Sequence, residues 1–390
     1  MALDADTFEQ LLDQVARFVR EKLRPREEEV ALSDAIPADI VSDMRQLGLF
    51  GLAIPEEFGG LGLNVSEEVQ VLFRLGQTSP AFRSVIGTNN GIGSQGIIFD
   101  GTAEQKQRYL PRMASGELIG SFALTEPEAG SDAGSLRTSA RRDGDSFVIN
   151  GTKRFITNAP QAGVFTVFAR TDPNTSTASG VSAFLVDADL PEITLGKKDR
   201  KMGQQGAHTC DVIFEDVRVP VDAIIGGEKN IGKGFATAMK VLDRGRLTIS
   251  AVCVGVAERL IGDSLNYAIE RKQFGQPIAE FQLVQAMLAD MRTECFAARC
   301  MIEETARRFD AGQPIATEAA CCKMFASEMV GRVADKAVQI HGGAGYVADS
   351  GIKRFYRDVR LFRIYEGTTQ IQQLVIARNM VRDARRTAGA

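Results

Sequence analysis

The stretch of sequence that decides the fold runs from residue 147 to residue 157 and reads Phe-Val-Ile-Asn-Gly-Thr-Lys-Arg-Phe-Ile-Thr. β-Branched and aromatic residues stand on both sides of Asn150-Gly151, a dipeptide that is typical of tight hairpin turns. Further short apolar runs follow at 164–169, 181–186 and 210–214. This pattern predicts a small antiparallel β-barrel or sandwich in the middle of the chain, with a hairpin turn at Asn150-Gly151.

Helical patterns flank this β-region on both sides. Apolar residues recur at three- and four-residue steps between Phe8 and Val19, and Thr102 and Gln105 have the spacing of a helix capping box. Four long helical patterns follow the β-region, at 235–274, 280–309, 317–339 and 368–381, and they are long enough for a bundle. We therefore predict an α+β multidomain protein, with an N-terminal α-helical domain (1–118), a middle β-domain (119–228) and a C-terminal four-helix bundle (229–390).

Composition argues against several classes of function. The 390 residues carry a formal net charge of −4, so no overall positive field attracts nucleic acid. The longest weakly polar run, 247–257, is far shorter than the roughly 20 residues that cross a bilayer, and the first residues are acidic where a leader would be basic. Two histidines and six cysteines without a C-x-x-C pair make a metal site hard to build. We expect a cytoplasmic protein without metal, nucleic acid or membrane insertion.

Two familiar enzyme motifs do not apply to this chain. Residues 91–96 match the G-x-G-x-x-G pattern of dinucleotide sites, but they lie among helical segments without a βαβ unit. We interpret these glycines as small residues for close packing rather than as a nicotinamide site. A serine hydrolase is also disfavoured, because the chain has no G-x-S-x-G segment to expose a nucleophile.

Five segments carry a resemblance that spans essentially the whole chain: 124–132, 150–158, 271–275, 339–343 and 365–370. In this order and at this spacing they resemble the acyl-CoA dehydrogenase family, and their amino-acid sequences are nearest to those of its short- and branched-chain members. The resemblance implies an FAD flavoprotein oxidoreductase of fatty-acid metabolism (β-oxidation) that acts on acyl-CoA. It also implies a homotetramer, built as a dimer of dimers, that passes electrons to an electron-transferring flavoprotein.

The resemblance further assigns residues to the cofactor. Around the flavin ring it implies Phe122, Leu124, Thr125, Gly130, Ser131, Phe155, Ile156 and Thr157. For the rest of FAD it implies Thr368 and Gln370 of the same subunit, and Arg271, Phe274, Gln282, Gln339, Gly342 and Gly343 of a neighbouring subunit. The planar fork of arginine suits phosphate oxygens, and a site shared between subunits requires an obligate oligomer.

Glu366 is the predicted catalytic residue. The α-proton of a thioester is weakly acidic, so its removal requires a positioned base, stabilisation of the enolate and an acceptor for the β-hydride. A glutamate shielded from water beside the acyl chain should have a raised pKa. By resemblance Glu366 is the base, and its backbone N–H and a ribityl hydroxyl of FAD bind the thioester oxygen. Other relatives carry the base where this chain has Gly245. Taken alone, Glu366 could instead complement a helix dipole.

Other residues are implied in substrate binding. By resemblance Ser131, Asp243, Arg246 and Gly367 contact the substrate, although Asp243 and Arg246 also have the i, i+3 spacing of a surface ion pair. The surroundings of Arg83 resemble the stretch where glutaryl-CoA dehydrogenases place an arginine that binds the distal carboxylate, so a dicarboxylyl-CoA substrate is an alternative, as is a plain helix-surface arginine.

Two alternatives of other classes remain open. One is a non-redox CoA-thioester lyase on the same scaffold, although such relatives tend to lack the carboxylate that this chain has at Glu366. The other is a helical binding protein that has kept the fold without a cofactor.

Overall fold

The computed structural model describes residues 4–175, 177–347 and 351–388. Its N-terminal part consists of seven described α-helices: α1 (Ala5–Phe18), α2 (Glu27–Ser33), α3 (Ala38–Gln46), α4 (Val65–Leu75), α5 (Pro80–Asn90), α6 (Gln95–Asp100) and α7 (Ala103–Ala114). The predicted capping box is confirmed, because Thr102 and Gln105 exchange hydrogen bonds at the start of α7. The G-x-G-x-x-G segment spans the turn between α5 and α6. A Cβ on Gly93 would lie 3.0 Å from the backbone of Gly120, which agrees with a packing role.

The middle of the chain forms one seven-stranded sheet. Its strands are β1 (Gly120–Ala123), β2 (Ser139–Asp143), β3 (Ser146–Thr157), β4 (Val164–Arg170), β5 (Val181–Asp187), β6 (Ile193–Leu195) and β7 (Thr209–Pro220). The strand order is β1-β4-β2-β3-β7-β6, with β5 also paired to β4. β1 runs parallel to β4, so the sheet is mixed rather than wholly antiparallel as predicted.

The predicted hairpin turn at Asn150-Gly151 is wrong. β3 continues through these residues, and its pairing with β7 has a bulge between Ile149 and Gly151. The Asn150 side chain bonds across to Asp216 of β7. The hairpin joins β2 to β3 instead, around Gly144. Bulges and turns both need backbone conformations that asparagine and glycine tolerate, so the dipeptide alone does not distinguish them.

The last part of the chain is helical again. α8 (Gly234–Glu270), a short hairpin of β8 (Lys272–Gln273) and β9 (Gln276–Pro277), α9 (Gln282–Asp310) and α10 (Ala316–His341) come first. The short helices α11 (Gly343–Tyr346) and α12 (Ile352–Asp358) and the long α13 (Thr369–Ala388) follow. The four long helices confirm the predicted bundle, but α8 ends at Glu270 rather than at Phe274, because the chain turns into the β8–β9 hairpin there.

One apolar core joins the first and the last helices. Leu12 of α1, Phe73 of α4, Val252 of α8 and Ala334 of α10 all belong to it. α8 packs against α4, α9 and α10 along its buried middle. Since both helical regions share this core, the division of the chain at residues 118 and 228 stays a prediction. In the part of the chain that the structure describes, no helix combines the length and the apolar character needed to span a membrane.

Candidate active site

A cavity of about 870 Å³ lies where the β-sheet region meets the helices. Its walls come from α5, the first half of α8, the start of α13, the loop after β1, the end of β3 and the turn at residues 365–367. Many residues predicted from the sequence to form the site line it together. They are Arg83, Phe122, Leu124, Thr125, Gly130, Ser131, Phe155, Ile156, Thr157, Arg246, Glu366 and Gly367.

Glu366 lies in a tight turn that precedes α13. Its φ is +57°, and Gly367 follows with a φ of +86°. A left-handed glutamate costs about 1–3 kcal/mol and persists only where its surroundings enforce it. α13 begins at Thr369, so Glu366 lies before its first turn, which removes the basis for the helix-dipole alternative. The turn therefore holds Glu366 in a strained conformation at the cavity wall.

The Glu366 carboxylate faces the cavity and α8. Its Oε2 atom is buried and has no hydrogen-bond partner among the described residues. At Gly245 of α8, a Cβ would lie only 2.9 Å from Oε2, so glycine is what leaves room for the carboxylate. Burial raises the pKa of Glu366, while Arg83, Arg246 and Lys323 act on it in the opposite direction. A carboxylate with a raised pKa is a stronger base than a solvated glutamate.

Two polar side chains that the sequence reasoning missed hold this turn. Lys323 of α10 is fully buried, and its Nζ donates to the Gly367 carbonyl at 2.6 Å. The Gln372 Nε2 donates to the carbonyls of Glu366 at 2.9 Å and Gly367 at 3.0 Å. Burial lowers the pKa of Lys323 to about 8. The available signal was a single lysine within the apolar pattern of residues 319–326, because a buried lysine requires a specific reason.

Arg83 projects from α5 into the cavity. Among the described residues it forms no hydrogen bond and no ion pair that would neutralise its charge. Its guanidinium lies over Gly87, one helical turn later, where a Cβ would come within 2.8 Å of it. The interpretation of Arg83 as a helix-surface residue is therefore wrong, because its guanidinium faces the cavity beside Glu366.

A buried ion pair shapes the loop on the β-sheet side of the cavity. The Lys153 Nζ lies 2.8 Å from the Glu126 Oε1, and both side chains are buried. Glu126 also accepts hydrogen bonds from the backbone N–H groups of Arg137 (2.6 Å) and Thr138 (2.8 Å). This pair ties the two ends of the loop that carries Gly130 and Ser131. Neither residue was predicted to have a role in the site.

Asp243 and Arg246 form the ion pair that their spacing suggested, and Arg246 of the two lines the cavity. Their side chains form an ion pair of 2.5 Å at i, i+3 on α8. Arg246 lines the cavity and its Nε is buried without a hydrogen-bond partner in the described structure. Asp243 lies behind it, outside the cavity wall. Arg246 is thus the member that can contact a ligand, and Asp243 orients it.

The remaining predicted FAD residues lie outside this cavity. Thr368 and Gln370 flank the start of α13, next to the Glu366 turn. The others gather at one end of the bundle, where Tyr267 stacks on His341 at 4.3 Å and Phe274 meets Phe281 at 6.0 Å. These surface residues are Arg271, Phe274, Gln282, Gln339, Gly342 and Gly343. Within one chain they do not contribute to the cavity.

Comparison with known proteins places the chain among sequences with the same three-part organisation. It matches the acyl-CoA dehydrogenase N-terminal domain over residues 5–117, the middle domain over 121–217 and the C-terminal domain over 232–381. It is 42% identical to acryloyl-CoA reductase (NADH) of Anaerotignum propionicum, over 96% of this chain and 94% of the relative. It is 40% identical to the mitochondrial short-chain specific acyl-CoA dehydrogenase of Homo sapiens, over 97% and 91%.

Two further similarities bear on partner and fold. The subunit CarC of the caffeyl-CoA reductase-Etf complex of Acetobacterium woodii is 40% identical, over 90% of this chain and 91% of the relative. The structure of butyryl-CoA dehydrogenase from Megasphaera elsdenii superposes with a TM-score of 0.92 at 33% identity, covering 98% of this chain and 100% of that one.

The fold and the site define a flavin-linked oxidoreductase of acyl thioesters. The chain belongs to the acyl-CoA dehydrogenase family. Members of this family are FAD-dependent enzymes, so the predicted family, fold class, enzyme class and cofactor are confirmed. Homologues act on acyl-CoA, and one of them is named as part of a complex with an electron-transferring flavoprotein.

Proposed function

We propose that this protein dehydrogenates an acyl-CoA thioester to the trans-2-enoyl-CoA, with Glu366 as the base that removes the α-proton. One observation carries the proposal: a desolvated carboxylate with an unpartnered Oε2 faces a cavity large enough for a cofactor and an acyl chain. Among the described residues that line the cavity, Glu366 is the carboxylate with an oxygen, Oε2, that is buried and accepts no hydrogen bond.

The residues on the β-sheet side of the cavity fit a flavin. Leu124 and Ile156 offer apolar surface, and Thr125 and Thr157 offer polar groups for the rim of the ring. A Cβ on Gly130 would meet nothing within 4 Å, so the loop leaves space for a bulky group. When bound there, FAD supplies the acceptor for the hydride that leaves C3 of the acyl chain.

The chain's own residues then perform the proton chemistry. The Glu366 carboxylate takes the proton from C2 as the C2–H bond breaks, and its raised pKa makes it a stronger base than a solvated glutamate. Arg83, Arg246 and Lys323 stabilise its ionised form before reaction. The Glu366 backbone N–H is the proposed donor to the thioester oxygen, where negative charge develops. By microscopic reversibility, the same carboxylate can return the proton in the direction of reduction, which is the reaction named for some relatives.

Contact with the CoA arm is proposed for Ser131, Arg246 and Gly367, with Asp243 orienting Arg246. Ser131, on the loop after β1, and Gly367, on the turn before α13, both line the cavity, so both are available to contact a pantetheine chain. Electrons would leave through an electron-transferring flavoprotein. Phe155 lines the cavity and is 58% exposed, so its ring is accessible to such a partner.

Assembly into a homotetramer is part of the proposal. Phe274 is 94% exposed and Leu283 is 82% exposed in the single chain, near the FAD residues predicted to serve a neighbouring subunit. Burial of such apolar side chains between subunits would stabilise an oligomer. Light scattering coupled to gel filtration measures the mass directly. A monomer that retains stoichiometric FAD would contradict the shared cofactor site. The cytoplasm stays the predicted location.

The proposed base is tested by Glu366→Gln, which keeps the size of the side chain and removes its basicity. We expect kcat to fall by about 100- to 10,000-fold, while the flavin absorbance and the binding of acyl-CoA persist. Glu304→Gln, on the exposed surface of α9, is the matched control and should be unaffected. The assay follows reduction of an artificial electron acceptor with butyryl-, isobutyryl-, isovaleryl-, octanoyl- and glutaryl-CoA. Near-normal turnover of the Gln variant refutes the assignment, and turnover without any acceptor would favour the lyase.

A dicarboxylyl-CoA substrate is the second candidate, because the cation of Arg83 faces the cavity without an ion-pair partner among the described residues. A distal carboxylate on the acyl chain would supply that partner. If so, Arg83→Met should lower kcat/KM for glutaryl-CoA roughly 30-fold or more, which corresponds to about 2 kcal/mol in the activation free energy. The kcat/KM for butyryl-CoA should fall less. Arg83→Lys keeps the charge and should retain part of the preference. An unchanged preference in Arg83→Met removes this candidate.

A further inference from the structure

Lys323 is a buried cation whose role is not explained by the proton step itself. It is fully buried on α10 and does not line the cavity. In the described structure its hydrogen bond goes to a neutral acceptor, the Gly367 carbonyl, and no carboxylate lies within ion-pair distance of its Nζ. Burying an ammonium without an ion-pair partner is costly. A simple packing role would be filled at lower cost by methionine or leucine.

The atom that Lys323 contacts belongs to the strained turn that presents Glu366. Two consecutive residues of this turn are left-handed, and for Glu366 that conformation is unfavourable by itself. The two carbonyls of the turn are held from two sides: by Gln372 of α13 and by Lys323 of α10. A Cβ on Gly367 would lie 2.6 Å from the Gln372 Nε2, so these contacts leave the turn little room to relax.

We propose that Lys323 is a positioning residue: its ammonium holds the Gly367 carbonyl, enforces the left-handed turn, and thereby aims the Glu366 carboxylate into the cavity as an ionised base. The inference rests on the proposed function of Glu366. A charge-assisted hydrogen bond is the stronger kind, so it suits a turn that stores strain. The same charge stabilises the ionised carboxylate across the turn.

The ionisation of this site depends on a small set of groups. Those that act on Glu366 are Arg83 of α5, Arg246 of α8 and Lys323 of α10, and all three lower its pKa. Those that act on Lys323 are Cys253 and Arg246 of α8, Glu328 of α10 and Glu366 itself. Removing Lys323 therefore raises the pKa of Glu366 further. The acid limb of the kcat/KM profile, which reports a base that must be deprotonated, should move to higher pH.

The test compares Lys323→Met with the wild-type holoenzyme in the acceptor assay with butyryl-CoA. A misplacement of about 1 Å in a reacting group lowers a rate about 100-fold, so we expect kcat to fall by about 10- to 100-fold. The KM and the flavin absorbance should change little, and the acid limb should shift upward. Ser327→Ala is the matched control: Ser327 is buried one turn later on α10 and bonds only within its own helix, so its kinetics should not change.

Lys323→Gln separates the hydrogen bond from the charge. It keeps a donor of shorter reach, so we expect kcat to lie between those of Lys323→Met and the wild type, with the acid limb still shifted. If Lys323→Met does not accumulate as folded holoenzyme, Lys323→Gln carries the test alone. Wild-type kcat and an unmoved acid limb in the variant that folds would overturn the inference. Loss of activity in Glu366→Gln together with normal kinetics in the Lys323 variants would refute this inference but leave the proposed function intact.

Discussion

Gly245→Ala should separate stability from activity in this protein. Gly245 lies in the interior of α8, where replacing glycine by alanine favours the helix by about 1 kcal/mol. The added methyl carbon, however, would lie 2.9 Å from the Glu366 Oε2, and ordinary contacts begin near 3.4 Å. The neighbour that must yield is the end of a flexible side chain, so the helix can accept the methyl group. The carboxylate is then displaced by about half an ångström.

That displacement allows the loss of rate to be estimated. If about 1 Å corresponds to roughly 100-fold in rate, half of it corresponds to about 10-fold, or about 1.4 kcal/mol in the activation barrier. We therefore expect kcat to fall about 10-fold while the apparent unfolding temperature stays equal or rises. The measurements are acceptor-coupled turnover of butyryl-CoA and thermal unfolding of the holoenzyme.

Gly262→Ala provides the matched control on the same helix. A Cβ at Gly262 would meet nothing within 4 Å, so this variant should gain stability with unchanged turnover. Full activity in Gly245→Ala would show that the Glu366 carboxylate does not need the space above Gly245. A drop in unfolding temperature in Gly245→Ala alone would show that the methyl group strains the backbone instead, and either result refutes the reasoning.

Two further predictions follow from buried charges away from the base. Lys153→Met should lower the free energy of unfolding by about 3–5 kcal/mol, because it leaves Glu126 buried without its cation. It should also weaken flavin retention, because the pair holds the loop that carries residues 130–131. The double variant with Glu126→Gln should recover part of the lost denaturation midpoint. Burial raises the pKa of Asp358 to about 6, so the folded state binds this proton more tightly than the unfolded state. The stabilisation that this proton provides is complete below the pKa of the aspartate in the unfolded chain and is lost as the pH rises through about 6. The free energy of unfolding should therefore fall by about 1 kcal/mol between about pH 5 and pH 7. The denaturation midpoint of the wild type should decline between these two pH values, and the Asp358→Asn variant should lack this decline. An equal decline in the wild type and the variant would contradict the raised pKa of Asp358.

The sequence by itself determined the order of the architecture and indicated the proposed base. Helical periodicity and runs of β-branched residues depend on neighbouring positions, so they predicted the α–β–α order and the four long helices. The family resemblance, and not the Tyr365-Glu366-Gly367 motif alone, indicated Glu366 as the proposed base, and the proposed chemistry requires a carboxylate. The dipeptide Asn150-Gly151 led to the wrong prediction of a hairpin turn. A β-bulge and a hairpin turn favour the same residue types, and only the pairing with β7 distinguishes the two.

Only the tertiary structure decided how the turn that carries the proposed base is supported. Lys323 and Gln372 reach the turn from two different helices, and Lys153 of β3 meets Glu126 of the loop after β1. The partner of each depends on how distant segments pack, which no local pattern encodes. The same holds for Arg83, whose helix could have faced solvent as easily as the cavity. Periodicity specifies which face of an element is apolar, whereas the contacts of a buried charge are set by the whole fold.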